Sequence, residues 1–131
     1  MNYKTLFDRF NKNGKLLSAD AVIDFSSICW SKHPTFEGVE LKHIVTSKHT
    51  NGQFSYHLVR VAPNKKIGNH IHEKQLETHE VIAGCGVCVT DGNRLVYQSG
   101  VISILPMGIP HEVIAGDNGL YLFAKFIPAL C

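Results

Sequence analysis

Two histidines one residue apart, His70 and His72, form the clearest chemical pattern in the sequence. On a strand, residues i and i+2 point to the same face, so both imidazoles look in one direction. A helix needs histidines at i and i+4 for the same effect. His72-Glu73-Lys74-Gln75-Leu76 lacks that second histidine, which excludes a His-Glu-x-x-His zincin helix. Glu77 offers an oxygen ligand after a four-residue loop, and His111 follows a Pro-x-Gly turn from which it can meet the others on a neighbouring strand. Three imidazole nitrogens and one carboxylate suit a single divalent transition metal ion (Mn, Fe, Co, Ni, Cu or Zn). One or two coordination positions then remain for water or substrate.

His79 shares a strand face with Glu77 and is expected to point inward beside the metal. Its role stays open between a partner that orients a ligand, a proton shuttle, a ligand replacing Glu77, and a polar side chain that is simply satisfied there. On the strand expected over residues 54–62, one face carries Phe54, Tyr56, Leu58 and Arg60, and the other Ser55, His57, Val59 and Val61. The second face is the more apolar and is read as inward, so His57 can line a cavity. His79, Tyr56 and His57 are the candidate acid–base groups, with Tyr97 and Tyr121 behind them. His33, His43 and His49 lie outside the pattern and are expected at the surface, as are Arg60 and Arg94. Cys85-x-x-Cys88 resembles half a zinc knuckle or a redox pair, but no second Cys/His pair follows at matching spacing, and glycines and β-branched residues surround it. It reads as two small apolar residues around a strand turn.

The elements that must hold these residues read as β from residue 39 onward. Short apolar runs alternate with turn signals: Asn51-Gly52, Pro63-Asn64, Gly84-Cys85-Gly86, Asp91-Gly92-Asn93, Ser99-Gly100, Pro106-Met107-Gly108 and Gly116-Asp117-Asn118-Gly119. A turn every 8–12 residues or so points to an antiparallel sandwich or barrel. Ahead of it, Tyr3, Leu6, Phe7 and Phe10 repeat with a helical period that ends near Asn13-Gly14. Residues 15–38 are mixed, with a strand or helix around 21–25 and breakers at Pro34 and Gly38.

Composition narrows the function classes. The chain has 131 residues, 44% hydrophobic and 18% charged, as for one ordinary globular domain. A net charge of +2, with the lysines scattered along the chain, excludes a basic nucleic-acid face. No apolar run reaches the ~18–20 residues that cross a bilayer. The charged N-terminal segment lacks a signal-peptide core. These features lead us to expect a cytoplasmic protein whose four cysteines stay reduced, with no nucleic-acid or membrane partner.

With these motifs the sequence resembles the cupin superfamily. That family's first motif runs Gly-x5-His-x-His-x3–4-Glu-x6-Gly, and Asn64-x5-His70-x-His72-x4-Glu77-x6-Gly84 departs from it only at the first position. The second runs Gly-x5-Pro-x-Gly-x2-His-x3-Asn, and Gly100-x5-Pro106-x-Gly108-x2-His111-x3-Ala115 departs only at the last. Asn tolerates a positive φ better than other non-glycine residues, and the Asn replaced by Ala115 is not itself a ligand. The resemblance implies an all-β double-stranded β-helix, or jelly-roll, barrel over residues 39–131. A short helical or extended arm (residues 1–38) would pack on the barrel or on a partner. It also implies a metal held by His70, His72, Glu77 and His111 in the barrel mouth. The function expected is a metal-dependent enzyme (dioxygenase, lyase or isomerase) on a small organic substrate, or a non-catalytic small-molecule sensor or structural cupin. A homodimer is expected from the resemblance and from the apolar stripe of the arm.

Overall fold

Strands dominate wherever turn chemistry cuts the chain into short apolar runs. The computed structural model describes residues 3–131. The arm opens with a helix, α1, over Tyr3–Asn13, then an antiparallel hairpin of β1 (Lys15–Ser18) and β2 (Ala21–Asp24). The strand option at residues 21–25 is thus the one adopted. After a 3₁₀ turn at Phe25–Ser27 come β3 (Ser31–Lys32), β4 (Val39–Val45), β5 (Ser55–Val61), β6 (Lys66–His70), β7 (Leu76–Thr90), β8 (Asn93–Gln98), β9 (Ile102–Leu105) and β10 (His111–Ile127).

Two of the expected turns are not turns. The Gly-x-Gly at residues 84–86 lies inside β7, and the Gly-Asp-Asn-Gly at 116–119 lies inside β10. Each of these long strands bends there without reversing, and the β7–β10 ladder skips register between Ala115 and Leu120. A β-bulge lets a strand bend and twist without breaking its ladder. The glycines are required because the two strands touch at the bend. Gly84 sits at φ 76°, and a Cβ on it would collide with the Gly119 carbonyl. As a result each long strand serves two sheets. Residues 120–127 of β10 pair with β5 and with the first half of β7, which also pairs with β9. Residues 111–115 pair with β6 and the second half of β7, which continues to β8. On its outer flank β5 is followed by β4 and β3. This is a jelly roll whose ladder does not close into a ring.

Between the two sheets lies the main core, with Val59, Val81, Leu122 and Ala124 from one and Cys88, Tyr97 and Val113 from the other. The Asp91-Gly92 turn behaves as its sequence demands, with both residues at positive φ directly between paired Thr90 and Asn93. Asn64 adopts φ 61° in its Pro-Asn turn. Asn51-Gly52 also takes positive φ, but only after the polar run before it winds one helical turn, α2 (Ser47–Thr50).

A second apolar cluster covers the outside of the first sheet: Phe7, Phe25, Ile44, Leu58 and Phe123. Phe7 of α1 is 1% exposed, its ring 5.0 Å from Tyr121 and 6.2 Å from Phe123, so the arm packs on its own barrel. Lys42 is buried beneath this layer, where its ammonium donates to the Phe25 carbonyl at 2.8 Å and burial lowers its pKa. Among the described residues, no helix is long and apolar enough to cross a membrane.

Candidate metal centre

The four residues singled out from spacing converge from three places on the fold. His70 ends β6, His72 lies in the loop beyond it, Glu77 is the second residue of β7 and His111 begins β10. Strand pairing sets His111 directly opposite His70. A hydrogen bond from the Gly108 amide to the His72 carbonyl (2.9 Å) ties the loops of the two motifs together. One ligand atom from each of the four lies within 4.8 Å of all the others. The rings of His70 and His111 are 4.3 Å apart, and those of His70 and His72 4.9 Å.

The donor atoms fit a metal. His70 Nδ1 donates to the Gly68 carbonyl at 2.7 Å, which fixes the tautomer and frees Nε2. Burial lowers the pKa of both His70 and His72, so the rings stay neutral with lone pairs available. At the centre, Glu77 Oε1 and His111 Nε2 are buried and 3.1 Å apart, and among the described residues neither atom has a hydrogen-bond partner. Burying a polar atom unpaired costs on the order of 1–3 kcal/mol. Two such atoms side by side, with His72 Nε2 3.6 Å from the same Glu77 oxygen, are what a cation would satisfy. Burial pushes the Glu77 carboxyl up, but His79 and His111 beside it outweigh that and hold it well below the usual carboxylate range.

His79 stands outside this set. Its Nε2 bonds the other Glu77 oxygen, Oε2, at 2.8 Å, and its Nδ1 faces the Tyr97 hydroxyl at 2.9 Å. Tyr97 in turn meets the Ser103 hydroxyl. The carboxylate can only accept, so His79 carries its proton on Nε2, Tyr97 donates to Nδ1, and Ser103 donates to Tyr97. The result is a buried chain of donors that all point toward Glu77.

The other candidates fall elsewhere. The inward face of β5 is as its pattern indicated, with Ser55, His57, Val59 and Val61 each 3% exposed or less. His57 nevertheless does not reach the cavity beside the centre. It lies behind His43, which does, and their Nδ1 atoms are 2.8 Å apart. Tyr56 is on the opposite face of β5 and bonds Glu80 at 3.2 Å, away from the four. Tyr121 packs on α1, and Arg60 pairs with Glu40 at 3.0 Å and covers the Trp30 ring at 3.9 Å. His43 was missed as a site residue and is not at the surface. The available signal was its place in the alternation Val39, Leu41, His43, all three of which line the cavity. Cys88 is buried and Cys85 exposed, and both are free.

The cavity has a volume of about 280 Å³ and is walled chiefly by apolar side chains, among them Val39, Leu41, Val59, Ile67 and Phe126. His70, His72 and Glu77 enter its lining, and Lys32 adds one cation.

Comparison with known proteins agrees with this geometry. No curated protein matches the sequence. A Thermotoga maritima protein described as a predicted oxalate decarboxylase superposes with a TM-score of 0.72 at 21% identity, over 79% of this chain and 95% of its own. KdgF from a Halomonas species gives 0.69 at 16%, over 79% and 90%. The polyketide cyclase RemF of Streptomyces resistomycificus gives 0.70 at 17%, over 86% and 80%. At such identities the likeness speaks to the fold alone. The family model named Cupin domain matches residues 57–123, the stretch that carries all four converging residues. The chain belongs to the cupin family.

Proposed function

We propose that the protein is a metal-dependent enzyme acting on a small organic substrate, with one divalent transition metal held by His70, His72, Glu77 and His111. The observation that supports this most directly is the pair of buried atoms without a hydrogen-bond partner, Glu77 Oε1 and His111 Nε2, 3.1 Å apart within the cluster. Such an ion supplies a Lewis acid or redox centre at an open coordination position. The residues around it do the rest. His79, held by Tyr97 and Ser103, orients the Glu77 carboxylate, and the apolar wall keeps water from the substrate. The cavity is at the small end of ligand pockets, which favours a compact, largely apolar substrate. Dioxygenase, lyase and isomerase reactions all fit such a site. The structural neighbours named as a decarboxylase and a cyclase are in keeping with small-molecule chemistry. The unpaired state of the cysteines supports a cytoplasmic setting. Exposed Val96, Ile102 and Ile104 on the outer strands support a homodimer, which a monomeric mass in light scattering would refute.

The test has two stages. Protein purified without added metal is analysed for bound ions, with one transition metal expected at this site in the wild type and none there in Glu77→Gln or His111→Ala. Oxygen uptake and product formation are then followed against diketones, phenols, thiols and keto acids. Wild type that binds metal and turns over nothing in a broad panel would favour a sensing role, and a metal content undiminished in both variants would refute the site.

A further inference from the structure

A second group of metal-type donors lies apart from the first. His43 on β4, His57 on β5 and Cys131 each place one ligand atom within 4.8 Å of the other two. Neither histidine is a surface accident. His57 is fully buried, and its Nε2 is taken by the Ser55 hydroxyl at 2.8 Å, which leaves Nδ1 facing His43 Nδ1. A hydrogen bond on the far nitrogen is the device by which proteins orient a metal-binding imidazole. The same serine accepts from the Leu130 amide at 2.8 Å, so one hydroxyl positions both His57 and the backbone beside Cys131. Further hydrogen bonds, Ala129 amide to Gly52 carbonyl (3.1 Å) and Ser47 amide to Cys131 carbonyl (2.6 Å), hold the segment that carries the thiol.

We propose that His43, His57 and Cys131 form a second transition-metal site, taking Zn²⁺ or another ion of the same borderline-soft class. Two imidazoles and a thiolate are a donor set such ions prefer, with a fourth position left for water or a ligand. Two nitrogens bound to one tetrahedral zinc at ~2.0–2.1 Å lie roughly 3.3 Å apart. The two Nδ1 atoms, now 2.8 Å apart and sharing a proton, must therefore part slightly as the ion replaces that proton. The β4–β5 ladder has its register shift between His43 and Val45, at the point where this slack is needed. Burial holds both imidazoles neutral, with His57 lowered to about 4, so each offers a lone pair. Burial raises the Cys131 thiol, so binding releases its proton and strengthens as pH rises. The Phe126 ring packs near both clusters, 5.5 Å from His57 and 5.0 Å from His72.

The experiment uses full-length protein stripped with chelator and reloaded with Co²⁺ as a spectroscopic stand-in for zinc. Only the second site contains a thiolate, so a sulfur-to-cobalt charge-transfer band in the near ultraviolet reports it alone. Two ions per chain and that band are expected. Cys131→Ser is expected to lose the band and one ion. The double variant His70→Ala, His111→Ala keeps the band and loses the other ion. If Cys131→Ser fails to fold, His43→Gln gives the same reading from a half-buried position. Alkylation of wild type, read at Cys131 by mass spectrometry, is expected to slow at least tenfold with Zn²⁺. No thiolate band, a band that survives Cys131→Ser, or alkylation indifferent to Zn²⁺ would overturn the proposal. Loss of the first ion alone leaves it standing.

Discussion

Glu77 divides its two carboxylate oxygens between two tasks. Oε2 is engaged by His79, and Oε1 is left bare toward His72 and His111. If His79 acts by orienting this carboxylate, removing its donor should weaken metal binding without removing a ligand. His79→Leu, studied in a Cys131→Ser background so that one site is read, is expected to weaken Zn²⁺ binding about 10–100-fold. Competition with a chelating dye measures this, and an affinity unchanged within about twofold would show that the His79 contact has no positioning role. The four converging residues were legible in the sequence because strand alternation and two motif spacings each constrain them locally. The role of His79 was not legible. Whether it takes the metal or the second Glu77 oxygen depends on Tyr97 and Ser103, whose strands face it only after folding. The alternation with Val39 and Leu41 was there to turn His43 inward, but its partner, His57, is opposite it across a ladder whose register no local signal sets.

At the scale of elements, the glycines at the bends of β7 and β10 show where local reading fails. Gly-x-Gly and Gly-Asp-Asn-Gly have the composition of reversals, yet here they let two long strands change sheets. The sequence signal was correct about backbone freedom and silent about direction, which is set by which sheet each half-strand must join. Two substitutions separate these effects. Gly52 and Gly84 share a positive φ, at 79° and 76°, but a Cβ on Gly52 meets open space whereas one on Gly84 meets the Gly119 carbonyl. Gly52→Ala is expected to cost about 1 kcal/mol, the backbone penalty alone. Gly84→Ala should cost at least about 3 kcal/mol, because β10 must also retreat. Urea unfolding midpoints measure both, and equal losses would show that the bend tolerates a side chain. The helical period of residues 3–13 was readable, and Phe7 sits where that period put it, though which surface it covers depended on Leu58 and Phe123, paired across β5 and β10 far along the chain.

For the molecule as a whole, the buried histidines make metal-free stability depend on pH. His57 is pushed down to about 4 by burial first and then by His43, with Glu77 opposing. The folded state therefore refuses a proton that the unfolded chain accepts near 6.5. Between these values the unfolded state binds more protons, so stability is complete above about pH 6.5 and falls as pH drops toward 4. The loss from His57 alone amounts to about 3 kcal/mol at most. Chelator-treated wild type should show this slope in denaturation at stepped pH, and His57→Gln should flatten it. Equal slopes in the two proteins would remove His57 as the cause. The jelly-roll class was readable from turn spacing and motifs, while its open ladder and the single long strands that cross both sheets were not. One consequence of that ladder concerns protonation. Ser103 lies directly opposite His79 on the β7–β9 pair, and Tyr97 reaches the same imidazole from β8. A slip of one residue in either pairing would turn a hydroxyl to the other face of the sheet. His79 would then be free to exchange tautomers, and Glu77 could lose its donor. The register of a β-sheet, ordinarily a matter of packing, here decides which nitrogen of one ring carries a hydrogen.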